Sequence, residues 1–306
     1  MSRKLVILPF YGEFGFYILN HIRWCYGSGM EENIICCLPG HECLYPHADA
    51  FFYDWINPLP DDIRSGDFTS SKSGWQQYDT ELTKRLSNIY PDHKIVRPTY
   101  LSYWDTCDTI KFKPKVEHLL PNVDIVVAPR RRAFCNERNY RHWTNVVKEL
   151  RKKYTVGIAG NPDYSFQLDA DAYAWNHPGG HTEGTIDLLQ NTKLFVSTDT
   201  GVGHLGAFLD TPMLVFRNDD HGYMGVIKKA NQNSCKRLWG IWNDPRRLLA
   251  CIDAEFDETT SICDCYTRPK QSSREEKLRI MREDKRFRLE QKRGVIKRIK
   301  TCCAKK

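Results

Sequence analysis

The sequence predicts an α/β fold built on a parallel, doubly wound sheet, and two observations lead to this prediction. Short, nearly continuous apolar runs such as Val123–Ala128 and Met213–Phe216 are typical of strands buried on both faces. Segments with helical spacing, such as Trp143–Lys152, separate these runs. Strands that alternate with helices in this way pair into parallel sheets covered by helices.

The chain of 306 residues is long enough for about two domains. We predict a first Rossmann-like domain over residues 1–120, a second over 121–267 and a basic helical tail over 268–306. The first domain should begin with a strand over Lys4–Phe10, a helix over Phe14–Tyr26 and a strand over Asn33–Leu38. Residues 39–115 are rich in aromatic residues, Pro and Asp, and their periodicity is too weak to place elements.

Predicted strands and helices alternate more regularly in the second domain. A basic last turn supports the helix over Trp143–Lys152, and Pro245 suits the first turn of a helix that ends near residue 252. The remaining predicted elements are strands over Val123–Ala128, Tyr154–Ala159, Leu194–Ser197 and Met213–Phe216, and helices over Thr185–Asn191 and Val202–Leu209.

The positive charge of the chain is concentrated in the tail. The whole sequence carries +7, whereas Arg268–Lys306 holds 16 Lys and Arg against 5 Asp and Glu, a net +11, which leaves −4 elsewhere. The two domains are therefore not a basic surface for nucleic acid, and no specific nucleic-acid partner is expected. We interpret the tail as a solvated helix, with a basic arm that binds an anionic membrane surface or nucleic acid as the alternative.

The sequence favours a cytoplasmic protein, with peripheral binding to a membrane surface through the tail as the alternative. No apolar stretch approaches the roughly 20 residues of a membrane span, and Met1–Phe10 resembles a buried strand more than a signal peptide. The 12 cysteines are therefore expected to be reduced thiols. Cys263-Asp-Cys265 and Cys302-Cys303 lack the paired C-x2-C spacing of a zinc site.

The segment with the most chemical information follows the strand Leu194–Ser197. There the chain passes through Thr200 and Gly201 and begins a helix at once. In open α/β sheets, ligands bind beyond the carboxyl ends of the strands. The free N–H groups at a helix start, here from Thr200 to Val202, are suited to bind phosphate, and Gly201 lets a phosphate approach the backbone closely.

Two further polar residues lie in this segment. Asp199 either caps the helix or accepts a hydrogen bond from a sugar hydroxyl. His204, one turn into the helix, shares a face with Thr200 and Gly201. The alternative to a ligand site is an N-cap followed by a packed, glycine-rich helix with a core histidine, and spacing alone leaves both interpretations open.

The stretch from Asp199 to Ala207 resembles the signature D-[ST]-G-x-x-H-L-[AG]-A of glycosyltransferase family 9, the heptosyltransferase-like enzymes. The similarity covers about Ala128–Phe216 and is absent over residues 39–120. The resemblance implies the GT-B fold, in which two Rossmann-like domains face each other across a cleft. It also implies a nucleotide-sugar donor on the second domain and an acceptor with a free hydroxyl, such as a glycan, on the first.

Two arginines extend the resemblance on the donor side. Asn139–Trp143 is similar to the family's K-x-W segment, in which the basic residue contacts donor phosphates, and Arg141 takes the matching position. Arg130 begins a run of three arginines after the strand Val123–Ala128. A guanidinium is suited to a diphosphate because it can donate two parallel hydrogen bonds.

On the acceptor side, Gly12-Glu13 resembles the family's Gly-Asp pair, whose acid is taken to be the catalytic base, with Glu in place of Asp. Glycosyl transfer passes through an oxocarbenium-like transition state, and a carboxylate near the acceptor hydroxyl would take its proton. The alternative is that Glu13 only stabilises the start of a helix.

Three other acidic or histidine-containing sites have weaker signals. His181 and Glu183 precede the helix over Thr185–Asn191, and they either border the nucleoside or serve turn and capping roles. Asp169-Ala-Asp171 has the D-x-D form of a metal site, but it stands in a polar loop after Tyr164–Leu168 and is interpreted as surface. No cofactor and no divalent metal are therefore expected.

Together the residues and the resemblance favour an inverting, metal-independent glycosyltransferase that acts on a nucleotide sugar. Two alternatives stay open. One is an epimerase-like enzyme that modifies a nucleotide sugar without an acceptor. The other is a degenerate, non-catalytic binding module that its basic tail tethers to a surface.

Overall fold

The computed structural model describes residues 4–10, 14–22, 25, 32–56, 72–98, 114, 116–132, 138–218 and 235–257. Their strands form two sheets in which every pair is parallel, so the predicted α/β fold is confirmed. The predicted tail over 268–306 and its contact with an anionic surface lie outside the described residues and stay predictions.

The first sheet has four strands in the order β3-β2-β1-β4. Its strands are β1 (Lys4–Ile7), β2 (Glu32–Cys36), β3 (Ala50–Phe52) and β4 (Lys94–Val96). Helix α1 (Phe14–Phe16) follows β1 and continues as a π-helical turn over Tyr17–Ile22. Helix α2 covers Lys72–Ile89. Two 3-10 turns cover Glu42–Leu44 and Asp54–Ile56. The sequence predicted β1 and β2 but gave no sign of β3, α2 or β4.

The second sheet has six strands in the order β10-β9-β8-β5-β6-β7. The strands are β5 (Val123–Ala128), β6 (Val156–Ile158), β7 (Ala172–Tyr173), β8 (Thr192–Thr198), β9 (Met213–Phe216) and β10 (Cys235–Leu238). The helices are α3 (Trp143–Leu150), α4 (Gly180–Gln190), α5 (Gly201–Phe208) and α6 (Pro245–Phe256), with 3-10 turns over Pro162–Tyr164 and Ala174–Asn176.

The two sheets share a hydrophobic core. One cluster of buried side chains joins Ile7 and Ile18 of the first half to Phe195 and Leu205 of the second. Both sheets accordingly lie in one compact unit. The predicted boundary between residues 120 and 121 falls between β4 and β5.

Helix α4 begins five residues before the predicted start at Thr185. The sequence Pro178-Gly179-Gly180 suggests a turn, and the turn is present, because Gly180 has a positive φ of 88°. The helix nevertheless includes the residues that follow, among them Gly184. A Cβ at Gly184 would overlap the carbonyl oxygen of Ala174 and lie 2.7 Å from Cβ of His177. The glycine therefore allows α4 to pack directly on the turn over Ala174–Asn176.

We expect Gly184→Ala to lower the free energy of unfolding by about 1–3 kcal/mol, the usual cost of overpacking. Helix propensity alone predicts that the same change raises the free energy of unfolding by about 1 kcal/mol, so overpacking and propensity predict opposite signs. Urea unfolding of the wild type, Gly184→Ala and the exposed control Gln190→Ala on the same helix measures the difference. Greater stability of Gly184→Ala would contradict the close packing of α4.

Candidate functional site

A cavity of about 480 Å³ opens at the carboxyl ends of the strands of the second sheet. Its wall includes Ala128 at the end of β5, Gly160 after β6 and Thr200 after β8. The first half of the chain closes the other side with Phe14, Leu38, Pro39 and His41. The cavity therefore lies between the two halves, at the place where open α/β sheets bind ligands.

The start of α5 faces this cavity. Thr200, Gly201 and Val202 all line it, as the predicted phosphate site requires. The Thr200 hydroxyl oxygen caps the helix by accepting a hydrogen bond from the Gly203 N–H at 3.1 Å. Helix geometry leaves the N–H groups of Gly201 and Val202 without an intrahelical partner, so they are available to an anion.

Gly201 also forms a close contact between the two halves. A Cβ at this position would lie 2.9 Å from the Gly15 nitrogen and 2.9 Å from Cδ1 of Phe14. A Cβ at Gly15 would in turn lie 2.9 Å from Cδ2 of His204. Two glycines therefore face each other across the interface, and the start of α1 rests on the start of α5. Gly201 was predicted to let a phosphate approach the backbone, whereas no role was predicted for Gly15.

Asp199 and His204 are buried beneath the start of α5. The Asp199 carboxylate accepts a hydrogen bond from Nη1 of Arg217 at 2.8 Å, and both side chains are 6% exposed. The helix cap considered for Asp199 is thus formed by Thr200 instead. Burial lowers the pKa of His204 to about 4, although Asp199, 3.9 Å away, opposes this. His204 is consequently a neutral side chain in the interface, which matches the core-histidine interpretation.

The arginine run after β5 is held in place by Asn139. The Asn139 side-chain oxygen accepts hydrogen bonds from the Arg130 guanidinium and from the Arg132 N–H, and its amide nitrogen donates to the Arg132 carbonyl at 2.8 Å. Both Arg130 and Arg132 line the cavity. The Arg132 guanidinium lies over the Tyr164 ring, 5.2 Å from its centre.

Arg141, the position that matches the family's basic residue, is exposed and is not among the side chains that line the cavity. The segment Asn139–Trp143 therefore contributes to the site through Asn139, which fixes Arg130 and Arg132. Its role in donor binding through Arg141 stays a prediction.

Helix α4 supplies the wall opposite the arginines. His181, Thr182 and Thr185 line the cavity, and Thr185 accepts a hydrogen bond from the Gly160 N–H at 3.0 Å. Partial burial lowers the pKa of His181. Glu183 points to the other side of the helix, where its carboxylate lies 3.7 Å from Nδ1 of His177. Of the two residues predicted near the nucleoside, only His181 faces the cavity.

The D-x-D triplet lies at the opposite end of the sheet from the cavity. Asp169 and Asp171 both pair with Arg151, and Asp171 accepts a hydrogen bond from the N–H of Val156 at the start of β6. Asp171 therefore stabilises the edge of the sheet, which agrees with its interpretation as a surface residue. Across the described ranges, no three His, Cys, Asp or Glu side chains are grouped to hold a metal.

Sequence reasoning missed the residues that the first half contributes to the site. Phe14, Leu38 and His41 come from segments in which spacing carried no functional signal. Tyr164 and Asn161 were also missed, because they belong to a short 3-10 turn rather than to a motif. The predicted base, Glu13, lies outside the described residues.

Comparison with known proteins finds a family match in the second half of the chain. Residues 182–245, which contain α4, the Asp199-Thr200-Gly201 turn and all of α5, match the sequence model of glycosyltransferase family 9 (heptosyltransferase). Among curated proteins, no sequence matches the chain.

The solved structures that align with parts of the chain include family 9 enzymes. ADP-heptose LPS heptosyltransferase II of E. coli aligns with a TM-score of 0.46 and 12% identity over 82% of this chain and 98% of its own. A family 9 glycosyltransferase of Veillonella parvula aligns with a TM-score of 0.49 and 10% identity over 85% of this chain and 91% of its own. TibC of enterotoxigenic E. coli, an iron-containing dodecameric glycosyltransferase, aligns with a TM-score of 0.39 and 11% identity over 70% of this chain and 58% of its own.

The segment that matches the family model lies on the second of the two parallel sheets. Within the described part of the chain, no helix is both long and apolar enough to cross a membrane.

Proposed function

We propose that this protein is a glycosyltransferase that moves a sugar from a nucleotide-sugar donor to an acceptor hydroxyl, with inversion at the anomeric carbon and without a divalent metal. The observation that carries the proposal is the free start of α5. It opens into a cavity that also holds two fixed arginines. A diphosphate needs this combination of backbone N–H groups and positive charge.

On the donor side, the N–H groups of Gly201 and Val202 bind the diphosphate, and Arg130 and Arg132 neutralise it. As the sugar leaves, negative charge develops on the bridging phosphate oxygen, and the same groups stabilise it. Asp199 would repel the diphosphate if it were unpaired, but its ion pair with Arg217 offsets that charge.

On the acceptor side, a hydroxyl attacks the anomeric carbon from the face opposite the diphosphate. The new carbon–oxygen bond forms as the bond to the diphosphate breaks, so the configuration inverts. The hydroxyl proton passes to a base, and the family resemblance assigns that role to Glu13. The acceptor reaches the cavity from the first half, which supplies Phe14, Leu38, Pro39 and His41.

We expect Arg130→Ala to raise the dissociation constant of a nucleoside diphosphate by about tenfold or more, since a charged hydrogen bond contributes about 1.5–3 kcal/mol. Titration calorimetry with ADP, GDP and UDP measures the change. Lys148→Ala, at an exposed position on α3, is the control. Unchanged affinity in a folded Arg130→Ala protein would remove Arg130 from the donor site.

Arg141→Ala belongs in the same series. A tenfold weakening there, as the family pattern predicts, would mean that the donor extends beyond the cavity wall that the structure describes. An affinity within threefold of the wild type would show that Arg141 does not contact the donor.

We expect release of nucleoside diphosphate from the donor to persist in excess EDTA. The carboxylates of the D-x-D triplet are paired with Arg151 at the far end of the sheet, and the diphosphate has arginines and helix N–H groups in place of a cation. Loss of turnover in EDTA, with recovery on addition of magnesium, manganese or iron, would refute metal independence.

We expect Glu13→Gln to lower the transfer rate by about 10²–10⁴-fold, the usual effect of removing a general base, with nearly constant nucleotide affinity. Rate and affinity are measured on the same preparation. A rate change below threefold would leave Glu13 as a helix-start residue only. A large loss of nucleotide affinity would instead place it on the donor side.

A further inference from the structure

A second, smaller cavity of about 100 Å³ adjoins the first sheet. All of its wall comes from the first half of the chain, and most of it is aromatic: Phe10, Phe14, Tyr17, His41 and Trp55 take part. Three residues, Phe14, Leu38 and His41, line both this cavity and the larger one. Of these three, only His41 has a polar side chain.

The backbone fixes the position of His41. A tight turn after β2 brings the His41 N–H to the Leu38 carbonyl at 3.0 Å, and Gly40 completes the turn with a positive φ of 81°. The His41 carbonyl then accepts a hydrogen bond from the Leu44 N–H at 3.0 Å, which begins the next 3-10 turn. The side chain consequently projects from a segment held on both sides.

Aromatic rings hold the imidazole on two sides. Its centre lies 5.7 Å from the Phe14 ring and 5.5 Å from the Tyr17 ring. Phe14 in turn contacts Gly201 at the start of α5. The Phe14 ring therefore contacts both His41 and the proposed phosphate site.

The Tyr17 ring is itself anchored by a buried hydrogen-bonded chain. Its hydroxyl lies 2.5 Å from the Tyr45 hydroxyl, which lies 2.8 Å from Nδ1 of His21. Nε2 of His21 donates to the Leu8 carbonyl at 2.8 Å. His41 thus packs against a rigid neighbour.

The imidazole of His41 is neutral and has unused hydrogen-bonding capacity. Burial lowers the pKa of His41 to about 4; His181 lowers it further and Glu42 opposes the shift. Within the described residues, its Nδ1 is buried and has no hydrogen-bond partner. A neutral imidazole offers one N–H donor and one lone pair, so it can accept a hydrogen bond from a hydroxyl group.

Resting on the proposed function, we infer that His41 contacts the attacking hydroxyl and accepts its hydrogen bond, which orients the oxygen toward the anomeric carbon. The acceptor enters from the first half, the diphosphate lies on the second, and His41 is the polar side chain shared by both cavities. A carboxylate still takes the proton; His41 positions the nucleophile and stays neutral throughout.

Water can serve as the acceptor in the test. In hydrolysis, the water oxygen bonds to the anomeric carbon and the carbon–diphosphate bond breaks with its electron pair on the diphosphate. One water proton goes to the base. The probes are ADP-glucose, GDP-mannose and UDP-glucose, and the readout is the release of nucleoside diphosphate.

His41→Phe keeps a ring between Phe14 and Tyr17 but removes both nitrogens. We expect it to slow hydrolysis by about tenfold, because a rate ratio of that size corresponds to the loss of one hydrogen bond. The affinity for nucleoside diphosphate should be unchanged. His41→Asn and His41→Gln restore an amide near Nδ1 and near Nε2, respectively, and one of them should return the rate to within threefold of the wild type. His47→Phe, at an exposed histidine that lines neither cavity, is the matched control.

The outcomes separate the two proposals. A wild type that splits none of the probes overturns the proposed function and the role of His41 with it. An active wild type with an equally active His41→Phe overturns the role of His41 alone. Equal losses in the Phe, Asn and Gln variants also overturn it, because they would indicate either ring packing or proton transfer by the imidazole.

Discussion

The contact between Gly15 and Gly201 is the constraint on which the site depends. Two helices, each following a strand of a different sheet, meet at their first turns with no side chain between their backbones. Close-packed interiors cannot absorb an added methyl group at such a point without moving the backbone. The spacing of the two halves at the cavity is therefore set by this contact, and any shift there would change the shape of the cavity.

The same contact explains why several polar residues are buried. His204 lies under Gly15, and Asp199 lies beside it with Arg217 as its ion-pair partner. A buried carboxylate without a cation would be costly. The ion pair allows an acidic residue to stand directly before a helix start that is open to anions. The stretch Asp199–Ala207 thus combines residues that line the cavity with buried residues that support the turn.

The sequence predicted the second half far better than the first, for physical reasons. β5 and β9 have the predicted bounds, because strands buried on both faces are apolar throughout. The turn that leads from β8 into α5 was also predicted, since its residues Asp199-Thr200-Gly201 directly follow an apolar strand. Whether it binds phosphate stays a prediction. By contrast, β3 and β4 are three residues long, too short to show a period. The role of His41 depends on Phe14, Tyr17 and Gly201, which are distant in sequence, so no local pattern could reveal it.

Asn139 has a consequence for how the donor is recognised. A free arginine side chain loses roughly 2 kcal/mol of rotamer entropy when a ligand immobilises it. Because Asn139 holds the Arg130 guanidinium, much of that loss occurs for Arg130 when the chain folds. In the proposed donor site, Arg130 would then meet the diphosphate already ordered, and less of the binding free energy would be spent on fixing it. The amide of a residue that never reaches the ligand would in this way determine how tightly the ligand is held.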